Sequence, residues 1–291
     1  FGIVFRGGMI SVSARFGVVL STCLILSGLW SSMIDAASLQ EDVQGERVEV
    51  VEGDWGDVSV EEVASILNSV DSHVRGMIGT ELKSILRVEP KGGPILLHKR
   101  DDDGGFRVKL EIDGRYWCQL IYQFSHELTH AYCHKSSEVE SHLSGPHDWF
   151  EEMICEAVSL RVLHDLSGKW KTDPPYKSLQ SFAPQLSKYA ARTEQECESV
   201  PREKFQHWYE MHRELLASGV MNRVEIRTVS LYFADLLKSQ PRLWSRIPDL
   251  ANGEALKDES FIQRLERWSK SWGTEDQELQ NQILTLFGNS N

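Results

Sequence analysis

Apolar positions recur along the chain with two different periods, and the changes of period mark out its elements. Residues 47–51 (RVEVV) alternate as a short strand does. Ser59 and Glu62 make a capping-box pair, after which Val60, Val63, Ile66, Leu67 and Val70 fall on one helical face. Residues 94–100 (PILLHKR) and 106–112 (FRVKLEI) read as two strands. Asp101-Asp102-Asp103-Gly104-Gly105 between them is turn chemistry, which predicts a hairpin. Three consecutive aspartates lack the ligand spacing of a calcium loop, so this run reads as a solvated hairpin tip.

The period then becomes helical. Trp117, Leu120, Ile121, Phe124, Leu128 and Ala131 form a wide apolar stripe that runs to about Cys133. A polar stretch over 135–147, containing Gly145-Pro146, connects to a second helix. Asp148 is expected to cap that helix with Glu151 at the third position, while Phe150, Ile154, Ala157, Leu160 and Val162 supply its buried face and Gly168 ends it. Beyond Pro174, helices are expected over 178–190, where Pro184 disturbs the first turn, and over 202–218, 222–238 and 258–287. This order predicts an α+β fold, with a small sheet and a hairpin or edge strand packed on the 117–133 helix, followed by an all-helical C-terminal part. The expected division is an N-terminal extension and signal peptide over 1–38, a part bearing sheet and motif over 39–168, and a helical subdomain over 169–291.

The first forty residues change the picture of where the chain works. After Met9, Arg15 supplies a positive n-region, 16–30 an apolar run, and Ala36, Ala37 and Ser38 a small-residue patch, so a signal peptide is expected. Residues 1–8 are read as upstream of the initiator, and the mature chain is expected to begin near Ser38 in an extracytoplasmic setting, secreted or periplasmic. The alternative is an uncleaved N-terminal membrane anchor, although the run is short for a span. No small-residue lipidation box ends on Cys23, which disfavours a lipoprotein. Export would permit disulfides among Cys118, Cys133, Cys155 and Cys197 in any of three pairings, and buried free thiols serve equally well. No Cys-x-x-Cys spacing offers a thiolate zinc site.

Composition narrows the partners. The net charge is −12 and Lys and Arg form no stripe, which excludes a nucleic-acid partner; the acidic surface is read as solubility.

The chemistry-bearing stretch is QFSHELTHAYCH, residues 123–134. His126 and His130 are four apart, so on a helix they project from one face, the spacing two imidazoles need to grip one Zn²⁺. Glu127 is rotated by about 100° from His126. It cannot join the same coordination plane, but it can reach a water held by the metal and act as general base. These polar residues interrupt an apolar helix, and buried polar groups need partners. Glycine and histidine three and six residues past His130 would complete an all-histidine site, but Cys133 and Ser136 stand there. The following helix offers Glu152 and Glu156 on one face: Glu152 is assigned as third ligand and Glu156 as hydrogen-bond acceptor of a ligand imidazole. Glu151 is the rival for the third-ligand role.

HELTH followed by Glu152-Met153-Ile154-Cys155-Glu156 resembles the gluzincin group of zinc metallopeptidases, the thermolysin-like enzymes, with Cys155 where alanine is usual. The match spans roughly 94–166. The resemblance implies zinc held by His126, His130 and Glu152, Glu127 activating water for attack on a peptide carbonyl, and a peptide or protein substrate laid along an edge strand, for which 106–112 is the candidate. It also calls for an oxyanion donor from the helical part, and Tyr232 is the first candidate, before Tyr209, His207 and His212. His134 is read as a helix C-terminal residue favoured by the dipole, and His142 and His147 as connector residues near the cleft rim. The alternative to a peptidase is a non-catalytic envelope or binding protein on the same scaffold, and a third reading is a hydrolase with a non-protein substrate.

Overall fold

The computed structural model describes residues 47–97, 99–135, 147–218, 223–250, 259–270 and 272–288. The signal segment, His98 and His142 lie outside the described residues.

The chain begins with β1 (Val48–Val50), then α1 (Val60–Ile78), β2 (Leu86–Pro90), β3 (Ile95–Leu97) and β4 (Phe106–Leu110). The expected capping box starts α1: Ser59 accepts from the Glu62 amide, and the Glu62 side chain accepts from the Ser59 amide. Gly79 ends it in the left-handed conformation. The four strands form one mixed sheet in the order β1-β2-β4-β3, with β1, β2 and β4 parallel and β3 antiparallel to β4. The hairpin is present, with Leu96 opposite Val108.

β2 is a strand the periodicity did not announce. Only Leu86 and Val88 alternate in LRVEP before proline ends it, too short a pattern to separate from a loop. Its presence changes the role of 106–112. β4 is paired on both sides, so it has no free edge, and it ends at Leu110. The edge strand on that side is β3. Gly93 lets the chain enter β3 closely against β4, because a Cβ there would lie 2.0 Å from the Lys109 carbonyl oxygen.

Two long helices follow, α2 (Trp117–Cys133) and α3 (Asp148–Lys169), packed against each other. Then come α4 (Ala183–Gln195), α5 (Phe205–Leu216), α6 (Arg223–Ser239), α7 (Phe261–Ser269) and α8 (Gln277–Leu286), with short 3-10 turns between several of them. Pro184 sits in the first turn of α4, as its fixed φ allows. The single helix expected over 258–287 is interrupted between α7 and α8 by a 3-10 turn, Thr274–Asp276, after Gly273. The fold is α+β.

The described residues of 46–291 form one compact unit rather than two parts meeting at 168. The reason is α3: it packs on α2 on one side and on α4 and α6 on the other, so the sheet-bearing and helical halves share one core. Trp149 and Phe150 open α3 within an aromatic cluster that includes Phe261 and Phe287. Among the described residues, no helix is long and apolar enough to cross a membrane.

Candidate metal centre

The polar residues inside α2 divide into two kinds. Ser125 and Thr129 return their hydroxyls to carbonyls one turn back, at 2.7 Å each, and Gln123 accepts from the Glu111 amide at 2.9 Å, holding the end of β4. These are satisfied locally. Tyr122, His126, His130 and His134 are not: spaced four apart, they form one column along the helix, and each finds its partner on α3.

The partners run in the opposite order, as antiparallel helices require. Tyr122 donates to Glu156. His126 Nε2 lies 3.2 Å from one oxygen of Glu152, and His130 Nε2 lies 3.4 Å from the other. His130 Nδ1 lies 2.7 Å from Glu151, and the same Glu151 oxygen lies 2.8 Å from His134 Nε2. The two imidazoles of His126 and His130 stand edge to face, 5.0 Å apart.

Each ionised carboxylate is an acceptor only, so the contact with Glu151 places a proton on His130 Nδ1 and leaves Nε2 facing Glu152. Burial opposes charge on His130, yet the hydrogen bonds and charges of Glu151 and Glu152 win and hold it protonated well above the usual histidine range. Burial likewise opposes ionisation of Glu151 and Glu152, and the imidazoles win there too, depressing both carboxyls.

Glu127 lies beside this group and is almost fully buried, 5% exposed. Burial raises its pKa, while His126, His130 and the Leu96 backbone amide of β3 pull the other way. The carboxylate thus sits between the imidazole column and the edge strand. Tyr122, His126, Glu127, His130, Glu152 and Glu156 line a cleft of about 430 Å³, with Pro94, Ile95 and Leu96 of the β3 segment and Arg223, Ile226 and Arg227 of α6.

Two roles fall differently from expectation. Glu156 touches no imidazole. One turn beyond Glu152 it meets Tyr122 and α6 instead, accepting from Arg227 Nε at 2.7 Å. The imidazole-orienting contact belongs to Glu151, which is therefore not free to cap α3: His147 occupies the N-cap and no side chain caps it. Tyr232 is also displaced. Its ring packs on Phe205 at 4.0 Å and its hydroxyl donates to the Val200 carbonyl, away from the cleft lining. Its place along the chain gave no information on which face of α6 it would occupy. Among the other donor candidates, His212 stacks on Trp208, and neither Tyr209 nor His207 lines the cleft. His147 faces the Glu259 carbonyl at 2.6 Å. His134 is the C-cap of α2, with its amide on the His130 carbonyl, and also reaches Glu151.

Sequence reasoning missed Tyr122, Arg227 and the Glu151 contact. The first was legible, since Tyr122-His126-His130-His134 repeats every four residues. Arg227 was not, because nothing local ties 227 to 156.

Among the described residues, side chains of metal-ligating type come together here. Two imidazole nitrogens and a carboxylate face one another, which is the ligand chemistry of a borderline metal. Glu127, Glu152 and Glu156 line the cleft, where Arg227 pairs with Glu156 while His126 and His130 face Glu152. Among the described residues, the groups of three whose ligand atoms all lie within 4.8 Å of one another are His126, His130 and Cys155, and His130, His134 and Glu151; Glu152 joins His126 and His130 through the 3.2 and 3.4 Å contacts. All four described cysteines are free thiols; Cys133 and Cys155 are neighbours in the core, where burial pushes the Cys155 thiol well up.

No family model matches the chain, and no curated protein or solved structure matches it either.

Proposed function

We propose that the protein is a zinc-dependent peptidase of gluzincin type, working outside the cytoplasm. The observation that carries this reading is the convergence of His126 Nε2, His130 Nε2 and the Glu152 carboxylate beside a buried Glu127, at a cleft walled by an edge strand. His126, His130 and Glu152 would hold the metal, which when bound supplies a Lewis acid for the scissile carbonyl and acidifies water.

Every other part is the chain's own. Glu127, with its pKa raised by burial, takes the proton from the attacking water and passes it to the leaving amine nitrogen. Glu151 holds the His130 ring by its Nδ1 proton, so that Nε2 points at the ligand position. The free edge of β3 is short, but it is the strand that borders the cleft, and an extended peptide can add to it through main-chain hydrogen bonds. Tyr232 lies outside the cleft lining and is not proposed as donor to a developing oxyanion; Tyr122 and Arg227 line the cleft, with their donors directed at Glu156. Burial and the Glu156 carboxylate hold the Tyr122 hydroxyl protonated, and Arg227 fixes Glu156 and Tyr122 together.

The test has two readings on one preparation. Purified protein is expected to carry one zinc per chain after dialysis and to cleave an unstructured protein such as casein. Glu127→Gln is expected to keep the zinc and lose at least about a hundredfold in rate. Zinc retained with cleavage unchanged in that variant sinks the mechanism.

Cys155 favours a second reading, a scaffold in which zinc is closed by four protein ligands and has no chemistry. A buried thiol with a raised pKa is a poor ligand unless it loses its proton. Cys155→Ala separates the two: the peptidase keeps its zinc, the closed scaffold loses it.

A further inference from the structure

The charged residues that line the cleft are not alike in their partners. Glu152 faces His126 and His130, and Glu156 faces Tyr122 and Arg227. Arg227 is engaged on all sides, with Glu156 at 2.7 Å, Glu196 at 2.8 Å and the Tyr122 hydroxyl at 3.4 Å. Glu127 has the Leu96 amide. Arg223 lines the same cleft, is exposed, and makes no hydrogen bond or ion pair with any described residue.

Its position gives that freedom meaning. Arg223 is the first residue of α6, one helical turn before Arg227, so the two guanidinium groups issue from one face of one helix. The inner one is locked into the wall, and the outer one is left at the opening. Two exposed apolar residues, Pro94 and Ile95, line the same cleft, and Ile95 keeps 43% of its accessible area. An exposed guanidinium beside apolar side chains, with no acceptor among the described residues, is suited to a planar carboxylate, which it can hold through two parallel N–H donors.

Resting on the peptidase reading, we propose that Arg223 is a specificity-determining residue and that the cleft selects peptides carrying a carboxylate near the scissile bond. The carboxylate is an Asp or Glu side chain or the free C-terminus of a short peptide; the chemistry recognised is the same. With a net charge of −12, the protein as a whole repels such peptides, so a preference for them requires a local cation.

The test uses binding, so that it does not depend on turnover. In the Glu127→Gln protein, a labelled hexapeptide with one glutamate is compared with its glutamine counterpart, each as a C-terminal acid and a C-terminal amide, by fluorescence anisotropy. The glutamate amide is expected to bind about tenfold tighter than the glutamine amide. The preference is expected to vanish in Glu127→Gln/Arg223→Gln and to turn towards a lysine peptide with Arg223→Glu. If acid beats amide whatever the side chain, and Arg223→Gln removes that difference, the terminal carboxylate is the ligand. A preference that survives Arg223→Gln, equal binding of all four peptides, or no binding of any overturns the proposal. Wild-type protein that fails to cleave peptides it binds with this preference overturns the peptidase reading and leaves the Arg223 site standing.

Discussion

The molecule gathers carboxylates in two places, and they are built in opposite ways. At the hairpin tip, Arg87 holds Asp101 at 2.8 Å, Asp103 at 2.5 Å and Glu49 at 3.2 Å, while Arg107 holds Asp101 at 2.7 Å. Each of these acceptors meets a guanidinium whose charge is permanent and whose donors are already directed. Between α2 and α3, Glu151 and Glu152 meet imidazoles, whose protons can leave and whose nitrogens can bind a metal. Acidic residues paired with arginine form a finished structure. Acidic residues paired with histidine retain a capacity for exchange. The difference lies in the partner, so a run of acids has to be judged by what faces it.

The comparison breaks most sharply at Glu152. Glu152→Ala removes one proposed ligand, and zinc affinity is expected to fall by more than about 100-fold, since even an orienting partner is worth about 10- to 100-fold. Competition with a chromophoric chelator measures it. Glu151→Gln keeps the ligands but weakens the hold on His130 Nδ1, so affinity is expected to fall by about 10- to 100-fold while one zinc per chain still binds at saturation. If Glu151→Gln is the more damaging of the two, Glu151 is the ligand, and the metal belongs with His130 and His134.

The same contrast explains what the sequence could tell. Spacing alone placed His126, Glu127 and His130 on one helix and Glu152 on the next, because a helix turns local order into a face. The capping pair Ser59 and Glu62 was legible for the same reason. Glu151 was not, because Asp148 and Glu151 also spell a capping box; only the tertiary approach of α2 sends the carboxylate to His130 and His134. Glu156 was misread because its partner, Arg227, is 71 residues away. The edge strand was misassigned because β2, three residues of alternation ending in proline, inserts beside β4 and leaves β3 outside. Local chemistry was readable, and pairings between distant segments were not.

At the hairpin, the expected effects are smaller. Asp101 joins both arginines and is only partly exposed. Asp101→Asn keeps the shape and removes the charge, and is expected to cost about 1 kcal/mol or less in urea unfolding. Zinc content should not change. A loss of zinc in this variant would show that the two clusters are coupled through β4 and α2, against the separation drawn here.

The smallest effect compares a carboxyl governed by pairing with one governed by burial, because Asp103 and Glu127 shift in opposite directions. Arg87 and the Gly105 amide bring Asp103 down to about 2, whereas burial raises Glu127. For Asp103 the folded value lies below the unfolded one, so its contribution to stability is complete above about 3.9 and fades as pH falls towards about 2. For Glu127 the folded value lies above the unfolded one of about 4.3, so the metal-free protein gains stability when pH falls low enough to protonate it. Carboxyl carbon shifts, followed by NMR in chelator-treated protein, read both groups. At pH about 3 Asp103 is expected to be ionised while Glu127 is protonated. Arg87→Ala should move Asp103 up towards its ordinary range and leave Glu127 where it was. Glu127 titrating below the ordinary glutamate range would mean that the imidazoles outweigh its burial, and with that its suitability as a base near neutral pH would go.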